Sequence, residues 1–318
     1  MSAISELSHL KVEKPKTAEE RRARRKEAGR DNRAGDLFLL PWLIGLVVIT
    51  IGPLLASLYL SFTRYSLIQA PEWIGVENYV RMFSDPRWWK SLQVTFTYVI
   101  VGVPVQLVVA LAIAIVLNEG MKGLAFYRSI FYLPSMLGAS VAIAVLWRQM
   151  FGVDGLVNQV LRAVGIDSHI GWISDPQYAL WSLILLHVWT FGSPMVIFLA
   201  GLRQIPGMYY EAASVDGATR WTKFRRITLP LLSPIIFFNL VLQVIGAFQS
   251  FTQAFVVSGG TGGPSDSTLF YTLYLYQKGF GQFQMGYAAA MAWLLVIIVG
   301  AMTAINFFLS RYWVFYEE

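Results

Sequence analysis

Five small or neutral polar residues recur at steps of four and three along one strongly apolar stretch. They are Asn239, Gln243, Gly246, Ser250 and Gln253. This spacing places them on one face of a helix. Amide and hydroxyl groups on such a face can exchange hydrogen bonds with the hydroxyls of a sugar, and the nearby rings of Phe248 and Phe251 can stack on the sugar ring. The stripe therefore predicts a path for a neutral, hydroxyl-rich solute.

A second interpretation of the stripe stays open. Polar and small residues are common where helices meet inside a membrane, so the same groups can hydrogen-bond neighbouring helices instead of a solute. Trp293, His187 and Trp189 are further candidates for the path. A lone histidine in an apolar helix is, however, more often a satisfied structural group than a ligand.

Groups suited to acid–base or metal chemistry are scarce in this sequence. Cysteine is absent, and the three histidines form no His-Glu-x-x-His motif. The glycine cluster at residues 259–263 lacks the lysine of a phosphate-binding loop. We therefore expect no catalytic residue, no metal site and no cofactor in this chain, and a membrane-embedded enzyme is disfavoured.

The element that must carry the polar stripe is a membrane-spanning helix. With 56% hydrophobic and 14% charged residues, the chain is too apolar for an ordinary soluble domain. Six stretches lack Asp, Glu, Lys and Arg, and each approaches or exceeds the roughly 20 residues that cross a bilayer as a helix. They cover residues 37–62, 92–117, 130–147, 179–202, 234–257 and 285–309. Continuous apolar runs exclude a β-barrel, so we predict an all-α integral membrane protein with six transmembrane helices.

The distribution of basic residues predicts the orientation. With the N-terminus in the cytoplasm, 18 of the 25 Lys and Arg residues lie on the inner side and 7 on the outer side. Cytoplasmic segments carry the excess of basic residues, so both termini are predicted to be cytoplasmic. Residues 1–36 form a basic tail, which we interpret as a topology anchor near anionic lipid and not as a nucleic-acid site. Residues 37–318 form one membrane domain.

The inner loop between spans four and five has the pattern of two short helices. Pro206 can begin the first helix and Gly217 can end it in a left-handed turn. Thr219 can cap the second helix, which Pro230 can stop. Such a loop fits a docking element for another protein, and the alternative is an amphipathic helix pair resting on lipid headgroups.

The same loop resembles the signature of the integral membrane subunits of binding-protein-dependent ABC importers. The signature is Glu-Ala-Ala, a glycine four positions after the last alanine, and then Ile-x-Leu-Pro. Its residues here are Glu211, Ala212, Ala213, Gly217, Ile227, Leu229 and Pro230. Residues 75–79, 88–95 and 128–134 are similar to the maltose-type sugar permeases, and the likeness extends over about residues 37–309.

This resemblance implies a type I importer permease bundle in which Glu211 to Gly217 is the coupling helix, seated in a cleft of a separate ATPase. It implies a second homologous permease subunit in a heterodimer, two ATP-binding subunits that hold ATP and magnesium, and an extracytoplasmic sugar-binding protein. The chain is then a non-catalytic, multi-pass subunit in lipid of the bacterial cytoplasmic membrane, with no nucleic-acid partner.

Other classes of protein stay open at this point. An ion-coupled secondary carrier would share the spans, but such carriers usually hold an ionisable residue in the membrane, and these spans have none except His187. A non-transporting membrane scaffold would lack the ATPase partner. Asp266 and Lys278 either contact a sugar-delivery protein or are ordinary loop residues. A disaccharide, an oligosaccharide, a uronate-containing chain and glycerol phosphate are all compatible with the neutral stripe.

Overall fold

A computed structural model describes residues 39–119 and 123–315. The predicted basic tail, its boundary with the membrane domain at residues 36 and 37, and Lys122 lie outside the described residues. Contacts divide the chain into two compact units, Met1–Tyr59 and Leu60–Glu318.

Helix α1 covers Leu39–Ser61 and contains a π-helical segment at Leu46–Ile51. It is 23 residues long, and none of its most apolar stretch is buried. A helix of this length that is apolar on all sides suits a lipid environment. This confirms the first predicted span within the described residues.

A small hairpin and a short helix precede the second span. Strands β1, Thr63–Ser66, and β2, Gln69–Trp73, pair antiparallel with Thr63 opposite Trp73. Helix α2 follows at Glu77–Phe83. The buried amide of Asn78 donates to the backbone carbonyl of Thr63 at 2.9 Å, which ties α2 to the hairpin.

Helix α3, Pro86–Asn118, is the central helix of the second unit. It begins six residues before the predicted apolar run because the Asp85 side chain caps it and Pro86 occupies its first turn. One buried stripe on α3 is Gly102, Gln106, Ala110 and Ala114. The glycine and the two alanines let neighbouring helices approach closely, and Gln106 is the one polar side chain of the stripe.

Spans three and four are both broken, which corrects the prediction of continuous helices over 130–147 and 179–202. Helices α4, Leu124–Leu137, and α5, Val141–Met150, meet at 94°, and α6 follows at Leu156–Ala163. Helices α7, Ala179–Trp189, and α8, Gly192–Leu202, meet at 41°. Ser140 explains the first break, because its hydroxyl accepts from the Ile143 amide and starts α5 as a new helix.

The inner loop and span five consist of successive helical segments. Helix α9 covers Gly207–Val215, α10 covers Arg220–Lys223, and a π-helical segment covers Phe224–Thr228. Helix α11, Leu229–Phe248, and α12, Thr252–Val257, complete the span.

The prediction that Pro230 stops the second loop helix is wrong. The Leu229 amide donates to the Phe224 carbonyl, five residues back, so the backbone makes a π turn just before the proline. This wider turn lets the proline ring fit without ending the helix.

Helix α13, Tyr271–Tyr276, a π-helical segment at Gln277–Gly281, and helix α14, Met285–Ser310, complete the described chain. Helix α3 packs against α7, α8 and α11, and α14 packs against α2 and α11. Four described helices are long and apolar enough to cross a membrane, and the two bent pairs bring the number to six if each pair is one span. The six-span helical membrane fold is thereby confirmed, with the hairpin as an addition.

Candidate functional site

Three broken spans meet at one place in the second unit. Span three breaks at residues 138–140, span four at 190–191 and span five at 249–251. A Cβ added to Gly138 would lie 2.1 Å from Cγ2 of Thr190, so these two breaks touch. Gln253 Nε2 donates to the Gly138 carbonyl at 3.0 Å, which brings in span five. We call these residues together with Gln253 the break junction.

Gln106 of α3 closes the break in span four. Its Nε2 lies 3.0 Å from the His187 carbonyl, 3.2 Å from the Thr190 carbonyl and 3.0 Å from Thr190 Oγ1. The side chain is 1% exposed. Backbone carbonyls released by a helix break have no water to bond in apolar surroundings, so this one amide replaces their lost helical partners.

Ser135 of α4 bonds the same break from the other side. Its hydroxyl donates to the Thr190 carbonyl at 2.8 Å and accepts from the Ser193 amide at 2.8 Å. Two buried polar atoms nearby, Gln106 Oε1 and His187 Nε2, have no hydrogen-bond partner in the part of the chain that the structure describes. Some buried polar atoms beside the junction are therefore not satisfied by hydrogen bonds within the described part of the chain.

The predicted polar stripe is divided by the break in span five. Asn239, Gln243 and Gly246 lie on α11, which ends at Phe248, whereas Ser250 lies in the break and Gln253 on α12. The prediction of one continuous helix face is therefore wrong for the last two residues. Both residues bond within this chain: Ser250 Oγ lies 3.4 Å from Gln253 Oε1, and the Ser250 carbonyl accepts from Thr272 Oγ1.

The three stripe residues on α11 differ in exposure. Asn239 is fully buried, and both polar atoms of its side chain lack a partner among the described residues. Gln243 is half-buried, and Gly246 is exposed with nothing within 4 Å of an added Cβ. Open space in this region thus lies beside Gly246.

The three aromatic residues predicted to line the path also differ in exposure. Phe248 is 1% exposed and packs edge-on against Phe96 with ring centroids 5.2 Å apart, so its ring is part of the core in this conformation. Phe251 is half-buried beside Tyr276 at 5.2 Å. Trp293 is half-buried on α14.

The inner loop confirms two predicted capping features and shifts one boundary. Gly217 has φ of +72°, the left-handed conformation, and Thr219 Oγ1 accepts from the Thr222 amide at 3.2 Å. Helix α9 begins at Gly207 and ends at Val215, so Gly217 lies in the turn after the helix rather than inside it.

Two contacts connect α9 with the start of span five. The hydroxyls of Tyr210 and Thr228 lie 2.9 Å apart, and Lys223 Nζ donates to Ser214 Oγ at 2.6 Å. Glu211 and Ala212 are exposed on α9. A displacement of α9 can therefore reach α11 directly through the π-helical segment.

A compact charged cluster lies at the N-terminal end of α3, around Asp85. Asp85 Oδ2 accepts from Tyr274 at 2.5 Å and from Tyr287 at 3.1 Å, and Lys278 Nζ lies 3.7 Å away. Burial acts to raise the pKa of Asp85, but the Tyr274 and Arg87 hydrogen bonds and the Lys278 charge outweigh it, so this pKa lies below its ordinary value. Burial lowers the pKa of Lys278 despite the attraction of Asp85.

Asp266 and Lys278, the predicted contacts for a delivery protein, both have partners within this chain. Arg87 donates to the two Asp266 oxygens at 2.9 and 2.7 Å, a bidentate pair. Lys278 pairs with Asp85 and is only 13% exposed in its side chain. These interactions connect both residues to the start of α3. The contact with a sugar-delivery protein stays a prediction.

Sequence reasoning missed Gln106, Ser135 and Thr190. The available signal was a glycine and a serine two residues apart inside span three, a threonine two residues before a glycine inside span four, and a glutamine deep inside span two. Each is a polar or small residue inside an apolar run, where a backbone break needs a side-chain partner.

Comparisons with known proteins match most of the chain. A family model described as "Binding-protein-dependent transport system inner membrane component" matches residues 79–313, which include the break junction and α9. The chain is 57% identical over 290 residues to the probable ABC transporter permease protein YesP of Bacillus subtilis (strain 168), covering 91% of this chain and 94% of that protein. It is 34% identical over 282 residues to the lactose transport system permease protein LacF of Rhizobium radiobacter, covering 87% and 94%.

A solved structure shares the fold. The chain superposes on the bacterial alginate ABC transporter, crystallised with an alginate pentasaccharide-bound periplasmic protein, with a TM-score of 0.75 and 23% identity. The match covers 90% of this chain and 96% of that chain. At this identity the likeness concerns the fold alone.

Proposed function

The chain belongs to the binding-protein-dependent transport system inner membrane components, and from this premise we propose that it is the permease subunit of an ATP-driven importer of a sugar or oligosaccharide. The observation that carries the proposal is the family match over residues 79–313 together with relatives named as sugar permeases. The six-span fold supports the same function.

The solute path runs along span five and the break junction. Gln243 is half-buried and Gly246 borders open space, so an amide and an exposed backbone are available to a solute. Unwound backbone at membrane depth occurs where it is buried in protein or lines a cavity, and the junction has that character. A second homologous permease, forming a heterodimer with this chain, supplies the opposite wall.

The energy for transport comes from ATP-binding partner subunits. The sequence holds no Gly-x-x-x-x-Gly-Lys-Ser/Thr motif, so ATP and magnesium belong to two ATP-binding subunits and this chain is non-catalytic. Closure of these subunits moves the segment from Glu211 to Gly217, and the Tyr210–Thr228 contact passes the movement to α11. Only different affinities of ATP for the two conformations can drive such a change.

The basic residues support a location in the membrane with a defined orientation. The chain lies in the bacterial cytoplasmic membrane with both termini in the cytoplasm, which the excess of 18 over 7 basic residues supports. An extracytoplasmic sugar-binding protein delivers the solute to the opposite side.

Co-purification and reconstitution test the function. An affinity-tagged chain isolated from its own membranes is expected to bring a Walker-motif ATPase and a second permease. The assembled complex in lipid vesicles, supplied with its binding protein, is expected to take up one class from a panel of disaccharides, neutral oligosaccharides, uronate-containing chains and glycerol phosphate only when ATP is present.

Two controls decide against the alternatives. An ion gradient without ATP should give no uptake, and vectorial uptake by this chain without an ATPase would show a secondary carrier instead. Isolation of a stable complex that lacks any ATPase would favour the scaffold.

A further inference from the structure

Helix α2 presents three distinct sides. Asn78 and Met82 are buried against the rest of the second unit. The charged residues Glu77 and Arg81 form a second side of the helix. The third side is apolar and exposed, and it consists of Val76 just before the helix, Val80 and Phe83, which are 60%, 61% and 53% exposed. The steps of four and three place these three residues on one face, which we call the α2 apolar face.

The charged side of α2 is occupied by contacts within this chain. Glu77 accepts from Arg64 at 3.3 Å. Arg81 donates to Gln284 Oε1 at 3.1 Å and lies over the Tyr287 ring at 5.2 Å. The charges therefore point away from the α2 apolar face.

The α2 apolar face continues onto the exposed side of α3 at Trp89. Trp89, in the first turns of α3, is 53% exposed, donates to the Phe83 carbonyl at 2.9 Å and stands beside the Phe83 ring. Ile100 lies 11 residues further along α3, about three turns, on the same face and is 61% exposed. Gln93 lies between them on that side and is also exposed, so the apolar surface of α2 reaches Trp89, is interrupted by one polar residue and resumes at Ile100.

We propose that lipid at the membrane–water interface covers the α2 apolar face, so that α2 lies along the membrane surface and anchors the end of span two. Interfacial helices typically have apolar residues on one side and charged residues on the adjacent side, with a tryptophan nearby. Helix α2 has this arrangement, with Trp89 where α2 meets α3. The face itself carries no charge to pair with a protein partner. Its position beside the exposed Trp89, at the end of an apolar span whose exposed side carries Ile100, favours lipid over a soluble partner.

Spin labelling tests this surface directly because the chain contains no cysteine. Val80→Cys and Phe83→Cys variants of the complete importer are labelled with a nitroxide and reconstituted in vesicles of phosphatidylcholine and phosphatidylglycerol. Collision rates are measured with oxygen, which concentrates in lipid, and with a nickel chelate, which stays in water. Glu72→Cys on β2, 68% exposed, is the water-facing control, and Ile100→Cys is the lipid-facing control.

The oxygen-to-nickel ratio at Val80 and Phe83 is expected to exceed the ratio at Glu72 several-fold and to approach the ratio at Ile100. A ratio equal to that of Glu72 places the face in water and overturns the proposal. Low collision rates with both reagents place it against protein and overturn it equally. The labels report position and not transport, so the result stands apart from the test of function.

Discussion

The side-chain amide of Gln106 donates to the backbone carbonyl of Thr190 at 3.2 Å, so a residue of one span completes the hydrogen bonding of a break in another. The same amide also reaches the His187 carbonyl. A break held by a side chain from a neighbouring helix keeps a defined angle, because its polar groups have no alternative partner in apolar surroundings. The geometry of span four thus depends on span two.

Replacing Gln106 with leucine should destabilise the protein by about 1–3 kcal/mol, since it removes hydrogen bonds to two buried carbonyls, each worth about 0.5–1.5 kcal/mol. Thermal unfolding of the purified importer complex measures this loss, and uptake should fall in parallel. Gln93→Leu is the matched control, because Gln93 lies on the same helix but is exposed. Equal melting temperatures for the two variants would contradict a structural role for the Gln106 amide.

Gln243→Ala should weaken solute recognition with little effect on folding. Gln243 has no hydrogen-bond partner in the described part of the chain, so its amide is free to bond a solute hydroxyl. The loss of one neutral hydrogen bond, about 0.5–1.5 kcal/mol, corresponds to an increase in KM for uptake of about two- to thirteenfold. ATP-dependent uptake in vesicles over a range of sugar concentrations measures it.

Leu242→Ala provides the comparison for that experiment. Leu242 is 45% exposed in the same turn of α11, so its truncation removes a side chain of similar size without a polar group. The same change in KM for both variants would contradict the proposal that the Gln243 amide hydrogen-bonds the solute.

The sequence predicted the membrane-spanning segments well because charge-free apolar runs reflect a simple requirement of the bilayer. The left-handed turn at Gly217 and the Thr219 cap were predictable for a similar reason, since both depend on local backbone chemistry. These features need no knowledge of distant residues.

The break junction was not predictable in the same way. The Gly138–Thr190 approach joins residues 52 positions apart, and the Gly138–Gln253 hydrogen bond joins residues 115 positions apart. An apolar run shows that a span exists but does not show where a side chain from another span permits it to bend. The stripe prediction failed beyond Phe248 for this reason.

Acid should weaken the cluster around Asp85. Because the pKa of this carboxyl is below its ordinary value in the folded protein, its contribution to stability is present above the unfolded-state pKa and is lost as pH falls through the folded-state pKa. Tyr274→Phe removes a hydrogen bond that lowers this pKa, so its acid destabilisation should begin at a higher pH. The melting temperature of the purified complex from about pH 3 to pH 7 measures the shift.

Tyr312→Phe is the control for the acid experiment. Tyr312 is 71% exposed and accepts a hydrogen bond from Arg311, far from Asp85 in sequence and in a different element. Its pH profile should follow that of the wild type. Superimposable profiles for the Tyr274 variant and the wild type would show that this hydroxyl does not set the Asp85 pKa.

Gly217→Ala should separate ATP hydrolysis from uptake. An added Cβ would contact nothing within 4 Å, so the substitution acts through the backbone, where the left-handed conformation costs a non-glycine residue about 1–2 kcal/mol. That strain favours a different path of the chain after α9, and we expect uptake per ATP hydrolysed to fall while the membrane helices remain folded. Gly207→Ala is the matched control, since Gly207 begins the same helix without a positive φ. Glu211→Gln, which removes one charge at constant shape, should act like Gly217→Ala, and wild-type coupling in both variants would exclude this loop as the contact that transmits ATP-driven movement.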